Sequence, residues 1–350
     1  MRMLPMPEAL GRSLYLSESD STPAGWNVPA GVPVFISLHR EEEMTDGWRE
    51  NITRFCESLY QRNCSVLADI SKRTLAAMQV SSVKELCELL HLTMVRIDYG
   101  FTVSEIRKIA GEVPVVLNAS IVTEQEMQEL RGCGELLAMH NFYPRPETGL
   151  DEEYLNERTQ LLHRYGFKVL AFIAGTGAKR GPLYEGLPTL EAHRYISPLY
   201  AYADLVLNYG IDQVYVGDPQ LDEAEQKRIE RFISEGILEL PACLNHGYED
   251  LYGCVFTNRI DSPKGLIRAA ESREYSVSSG RHVRPENTAE RSRGTITMDN
   301  ENYLRYEGEV MIMRQDYPKD ERVNVIGMVR NEYIPVTDLI RRGSKFVFTE

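Results

Sequence analysis

An apolar, β-branched run that ends on a polar residue and leads into an amphipathic segment occurs eight times in the first two-thirds of this chain. The runs cover residues 12–17, 34–39, 65–70, 94–99, 113–118, 136–141, 168–175 and 213–218. Such near-continuous apolar strands, joined by helical crossovers, call for a parallel sheet covered on both faces. Eight is the number that closes a (β/α)8 TIM barrel. Between the runs, Trp48, Ile52, Phe55 and Leu59 share one helical face, as do Val103, Ile106 and Ala110, then Leu155, Leu162 and Tyr165, and then Ile229 and Phe232. Thr102 with Glu105 and Thr123 with Glu126 read as capping boxes that start helices just beyond a strand. The rhythm breaks once. Residues 18–33 hold three Pro and two Gly with no helical period, so the first helix is expected to be shortened or replaced by a loop.

Near residues 239–241 the alternation stops. The segments 275–279, 294–298, 308–314 and 323–329 read as strands separated by turn residues, including Asp299 with Asn300 and the stretch 318–320. They predict a small antiparallel barrel or sandwich of about 100 residues. A chain of 350 residues also exceeds one ordinary hydrophobic core. Two domains are therefore expected, a barrel over 1–240 and a β domain over 241–350. The linker 243–253, with His246, Gly247 and Tyr248, is expected to pack across the barrel mouth.

Charge narrows the function classes. Against 52 Asp and Glu stand 39 Lys and Arg, a formal net charge of −13. Such a surface repels nucleic acid unless a basic patch exists, and no basic stripe with interleaved aromatics is present. No apolar run reaches the roughly 18 residues that span a bilayer, so no membrane partner is expected. The N-terminus lacks the apolar core of a signal peptide. Cys56, Cys64, Cys87, Cys133, Cys243 and Cys254 form no C-x-x-C pair and read as reduced thiols of a cytoplasmic protein. No H-E-x-x-H or other metal motif occurs, and no cofactor is expected.

In barrels of this type the chemistry sits at the C-terminal ends of the strands. Those ends carry His39, Asp69, Arg96 with Asp98, Asn118, His140 with Asn141, and Asp218. Each has a plainer reading. A strand-end Asp is about as often the N-cap of the next helix as a functional group. Asp69 precedes Ser71 and a helix, so capping is open there, whereas Thr102 already caps the helix after Asp98. Arg96 and Asp98 share parity and face one side, either as a structural pair or to hold the Asp ionised. Asn118 and Asn141 suit hydroxyl or amide recognition, and His140 is as apt to position substrate as to carry a proton. The loop 175–191 follows the seventh run. It is rich in Gly and carries Lys179 and Arg180, an anion-binding composition that a solvated loop would also show. Glu185, in a partly apolar stretch of it, is a candidate general acid.

Two strings in this region, HNFYPRPETGL at 140–150 and GPLYEGLPTLE at 181–191, resemble the MupG-type 6-phospho-N-acetylmuramidase family, whose members have often been labelled only as outer surface proteins. RSRGTITMDN at 291–300 and RVNVIG at 322–327 resemble its cyclophilin-like β-barrel part. The likeness spans nearly the whole chain. It departs at 18–33, where the family pattern has a first helix. The resemblance implies a cytoplasmic glycosidase of cell-wall recycling. Its substrate would be N-acetylmuramic acid 6-phosphate–N-acetylglucosamine, a phosphorylated amino-sugar disaccharide, cleaved to the two monosaccharides.

For that chemistry the expected carboxylates are Asp69, Asp98 and Glu185, with Glu185 as acid and Asp98 or Asp69 assisting attack. An acetamido oxygen of the substrate is an alternative nucleophile. Lys179, Arg180, Arg145 and Arg259 are expected to meet the phosphate, and His39, Asn118, His140, Asn141 and Asp218 the sugar. The small domain is expected to cap the barrel or to mediate homodimer formation. A rival from another class is a non-catalytic sugar-phosphate sensor, which would bind the disaccharide without releasing N-acetylglucosamine.

Overall fold

The computed structural model describes residues 9–15, 28–38, 47–97, 100–272 and 282–350. The chain divides into two compact units, Met1–Glu223 and Ala224–Glu350.

In the first unit eight strands run in chain order around a closed barrel: β1 (Gly11–Leu14), β2 (Pro33–Ser37), β3 (Ser65–Ile70), β4 (Met94–Ile97), β5 (Val115–Asn118), β6 (Leu136–Met139), β7 (Lys168–Ile173) and β8 (Gln213–Val216). Every pairing is parallel, and β1 closes the ring on β8 through Gly11↔Tyr215 and Arg12↔Val216. That seam needs glycine. A Cβ on Gly11 would lie 2.3 Å from the Tyr215 ring, far inside van der Waals contact. All eight expected strands are present.

The crossovers are α1 (Trp48–Gln61), α2 (Lys72–Met78), α3 (Val83–Leu90), α4 (Val103–Ala110), α5 (Glu124–Leu130), α6 (Glu152–Arg164) and α7 (Pro198–Leu207); α8 (Glu223–Glu235) follows β8 and from Ala224 onward belongs to the second unit. Both expected capping boxes form: Thr102 and Thr123 accept from the backbone N–H groups of Glu105 and Glu126, whose carboxylates answer the cap residues. Helix α1 buries Trp48, Ile52, Phe55 and Leu59 on one face. The proline-rich segment 18–33 lies mostly outside the described residues, and no helix occurs in its described part, 28–33.

Strand alternation sends Phe35, Leu67, Val116, Leu137, Met139, Leu170, Phe172 and Tyr215 into the barrel interior, where they form one buried cluster. Each such side chain contributes about 1.5–3 kcal/mol by leaving water. The next inward positions, one step toward the C-terminal ends, are polar on β2, β3 and β4: Ser37, Asp69 and Arg96. The barrel is therefore oily below and polar at its mouth.

The second unit holds β9 (Ile237–Leu244), β10 (Val255–Thr257), β11 (Leu266–Arg268), β12 (Thr295–Asp299), β13 (Val310–Met313), β14 (Val323–Val329), the short helix α9 (Val336–Leu339) and β15 (Lys345–Thr349). Their order in the sheet is β10-β15-β9-β14-β12-β13-β11. The outer strands approach each other through the Asn258↔Ala269 bridge and the bond from Ala270 N to Thr257 O (2.9 Å), so the sheet rolls almost into a barrel. It is mixed rather than purely antiparallel, because β15 runs parallel to β9. Strands expected at 294–298, 308–314 and 323–329 correspond to β12, β13 and β14, while 275–279 lies outside the described residues. The expected linker 243–253 is the end of β9 and a single 3-10 turn over Glu249–Leu251, and residue 240 lies inside β9. Among the described residues no helix is long and apolar enough to cross a membrane.

Candidate active site

A cleft of about 280 Å³ opens at the C-terminal ends of the barrel strands. Its floor is aromatic. Phe35, Phe142 and Phe172 meet edge to face, with ring centroids 5.1–6.5 Å apart, a preferred arrangement for aromatic quadrupoles. Its polar wall is Ser37, Asp69, Arg96 and Asn141, and its outer wall is the β7–α7 loop through Arg180, Gly181, Pro182 and Leu187.

The parallel register sets Asp69 of β3 directly beside Arg96 of β4. Both point inward, and Arg96 Nη1 donates to Asp69 Oδ2 at 2.9 Å with each side chain about 95% buried. Arg96 Nη2 donates to Asn141 Oδ1, so one guanidinium ties β3, β4 and the end of β6 together. Removing either member of such an ion pair would leave a charge stranded in low dielectric. Asp69 is not the cap of α2. Ser71 takes that place, with Thr74 completing the box.

The β7–α7 loop is held from beneath by Asp218, just past β8. Its Oδ2 accepts from Gly175 N (2.9 Å) and Leu187 N (3.0 Å), and its Oδ1 from Arg180 N (3.1 Å). With its backbone fixed there, Arg180 lies buried against the cleft. Its guanidinium carbon is 3.7 Å from the Tyr15 ring centroid and 5.8 Å from that of Phe142. Stacking on aromatic faces holds a guanidinium in a fixed plane, the geometry in which it recognises anions.

A second device joins this loop to the β6–α6 loop. Arg194, only 1% exposed, donates Nε to Glu191 Oε1 (2.7 Å) and Nη2 to Glu191 Oε2 (2.6 Å). It also donates to the carbonyls of Tyr143 (2.9 Å), Gly186 (3.1 Å) and Arg145 (3.3 Å). The Glu191 carboxylate accepts in addition from the backbone of Glu147 (2.9 Å) and Gly149 (2.8 Å). The Arg194 bonds pull the Glu191 carboxyl down to about 2, against some desolvation. Backbone pairing of Leu150 with Leu190 runs alongside. The two strings that carry the family resemblance are thus stitched face to face.

Of the expected site residues, Asp69, Asn141 and Arg180 come together in the cleft wall, and Asp218 supports it from below. Asn118 and His140 sit at their strand ends but do not line the cleft. Asn118 Oδ1 closes a turn by accepting from Ser120 N (3.1 Å). His140 is fully buried, with Nδ1 3.1 Å from Ser120 Oγ. Burial, then the charge of Arg158, hold its imidazole neutral, with a pKa of about 3.

Glu185 stands on the rim, where Tyr195 Oη donates to its Oε2 (2.8 Å). Lys179 lies 5.7 Å over the ring of the same Tyr195, and Arg145 is exposed. Arg259 belongs to the second unit and is engaged by Asp261 through two bonds of 2.8 and 2.9 Å. His39 and Asp98 lie outside the described residues. The sequence reading missed Glu191 with Arg194, and the aromatic set Tyr15, Phe35, Phe142 and Phe172. Glu and Arg three apart at 191 and 194 were the available signal for the first. Among the described residues no group of three or more His, Cys, Asp or Glu is arranged to hold a metal ion.

No curated protein matched this chain. A protein of unknown function from Enterococcus faecalis is similar over 97% of this chain and 96% of its own, with 29% identity and a TM-score of 0.83. An uncharacterized Bacillus cereus protein shares the fold over 99% of this chain and 100% of its own, at 21% identity and a TM-score of 0.80. Residues 11–231 match the family described as 6-phospho-N-acetylmuramidase, N-terminal, and residues 239–349 match its C-terminal counterpart. With both parts matched across nearly its full length, the chain belongs to the 6-phospho-N-acetylmuramidase family.

Proposed function

We propose that the barrel hydrolyses the glycosidic bond of N-acetylmuramic acid 6-phosphate–N-acetylglucosamine, as a cytoplasmic step in the recycling of cell-wall sugars. The observation that carries this reading is the cleft itself. A buried carboxylate, Asp69, two buried guanidinium groups, Arg96 and Arg180, and an amide, Asn141, converge over an aromatic floor at the end of the barrel where such folds do their chemistry. The family match supports the same reaction class.

Glycoside hydrolysis needs one group to protonate the leaving oxygen and an anion to stabilise or attack the anomeric carbon. Asp69, anchored by Arg96, takes the anionic role. Proton donation falls to Asp98 or Glu185, the other carboxyls expected at the mouth. Glu185 is part-buried and accepts a hydrogen bond from Tyr195, a bond it would exchange to reach the leaving oxygen. Arg180 takes the phosphate. The acetamido oxygen of the muramic residue is available as an internal nucleophile, in which case Asp69 orients it.

The test is release of free N-acetylglucosamine from the phosphodisaccharide. Asp69→Asn preserves an acceptor for Arg96 and should lower turnover at least about 100-fold while the barrel stays folded. Near-normal turnover in a folded variant removes Asp69 from the mechanism. Wild-type protein that binds the disaccharide but releases no sugar is a sensor, not a hydrolase.

A further inference from the structure

Large apolar side chains rarely point into water without a reason when several do so together. Among the described residues nine are exposed, and three of them, Leu183 (48%), Tyr184 (66%) and Tyr195 (72%), belong to the β7–α7 loop that walls the cleft. Tyr195 is engaged by Glu185 and Lys179. Tyr184 is different. Its backbone is left-handed, with φ 59°, a conformation that costs energy for any residue with a Cβ. Its N–H donates to Arg180 O (3.2 Å), closing a turn around Gly181 and Pro182, which line the cleft. The phenol lies against Gly181: a Cβ there would stand 3.0 Å from Tyr184 Oη and 3.1 Å from Cζ. The turn therefore carries a mostly solvent-facing aromatic plane at the lip of the cleft, next to the backbone of its wall.

We infer that Tyr184 is a stacking platform for the second, unphosphorylated sugar of the disaccharide. This rests on the function proposed above. The occupant follows from charge. Arg96 is compensated by Asp69, so the buried cation of the cleft wall that draws the anionic, phosphorylated ring inward is Arg180. A linked neutral ring is left at the mouth. There, the C–H face of a pyranose is apolar and the tyrosine plane offers a matching surface. Tyr184 is thus a specificity-determining residue for the leaving group, and it takes no part in the bond cleavage.

The experiment compares wild type, Tyr184→Ala and Tyr184→Phe on two ligands: the phosphodisaccharide, by kinetics, and the monosaccharide N-acetylmuramic acid 6-phosphate, by calorimetric binding. Tyr184→Ala is expected to raise KM for the disaccharide about tenfold and to leave binding of the monosaccharide unchanged. Tyr184→Phe keeps the ring and should behave as wild type. Equal weakening on both ligands, an unchanged KM in Tyr184→Ala, or loss in Tyr184→Phe matching that in Tyr184→Ala each overturns the stacking role. If wild type cleaves the disaccharide and Tyr184→Ala is normal, only this inference fails. If wild type neither binds nor cleaves it, the functional reading beneath it fails as well. At 66% exposure the side chain contributes little to folding, and thermal melting of the variants checks this.

Discussion

Replacing Glu191 by alanine strands the guanidinium of Arg194 in the wall of the barrel mouth. Arg194 is 1% exposed, whereas the Glu191 side chain is 31% exposed. The two single deletions should therefore differ. Breaking a buried ion pair costs about 3–5 kcal/mol when the orphaned charge cannot reach water. Arg194 keeps three carbonyl acceptors in Glu191→Ala, which places the cost near the low end, about 3 kcal/mol. In Arg194→Ala the carboxylate keeps the N–H groups of Glu147 and Gly149, but the carbonyls of Tyr143, Gly186 and Arg145 lose their donor and a buried side chain is deleted, so the loss is larger, about 4–5 kcal/mol. On unfolding by heat, Glu191→Ala should fall about 6–12 °C below wild type, and Arg194→Ala by more. The pair also has a pH signature. The Glu191 pKa is depressed from its ordinary 4.5 to about 2, so its stabilisation is complete above pH 4.5 and disappears as pH falls through 2. Wild type should lose its advantage over Glu191→Ala along that acid limb. Equal melting of the two variants, or smaller damage in Arg194→Ala, would refute the reading of the buried guanidinium as the hub of this joint.

Three other outcomes are expected. Asp69→Asn should abolish most turnover in the sugar-release assay, as set out above, and Tyr184→Ala should separate disaccharide from monosaccharide. Arg180→Ala should weaken the phosphorylated disaccharide at least about tenfold more than its unphosphorylated analogue, measured by KM on each; equal loss would point to a packing role against Tyr15. In the second unit Asp299 is raised to about 7 by burial, then by Glu309 and Asp320. A carboxyl raised this way costs stability as pH climbs from 3.8 to 7, so Asp299→Asn should gain about 2 kcal/mol over wild type between pH 5 and pH 8 in urea unfolding. A gap that does not change with pH would contradict it.

The barrel was legible because period and count survive without contacts: eight apolar runs and two capping boxes mark the positions of strands and helices. Some expected strands ran past the ladders, to 175 and 218. Residues just past the strand ends still hydrogen-bond to a neighbouring strand, as when Leu38 N reaches Asp69 O and Gly217 N reaches Ile173 O. Parity showed that Arg96 faces inward with the strand-end acids, but only register reveals that its partner is Asp69 on the neighbouring strand. Arg259, expected to meet the phosphate, is paired with Asp261 two residues on, a local bond that strand patterning does not reveal. Strand β9 was missed for a local reason. Pro241 argues against an interior strand, yet it is tolerated because β15 pairs with Ile237–Pro241 and β14 with Ala242–Leu244, so the proline sits where β9 changes partners.

That change of partners has a consequence for how the protein is made. The first half of β9 finds its parallel mate in β15, roughly 100 residues downstream, a separation that makes loop closure costly. A ribosome that has just released a finished barrel is still holding an apolar ribbon, Ile237, Leu238 and Leu240, with no mate on one side. Until the strand at Lys345–Thr349 emerges, that ribbon is a bare edge open to other nascent chains. Stalled synthesis would thus leave a closed barrel trailing an aggregation-prone tail.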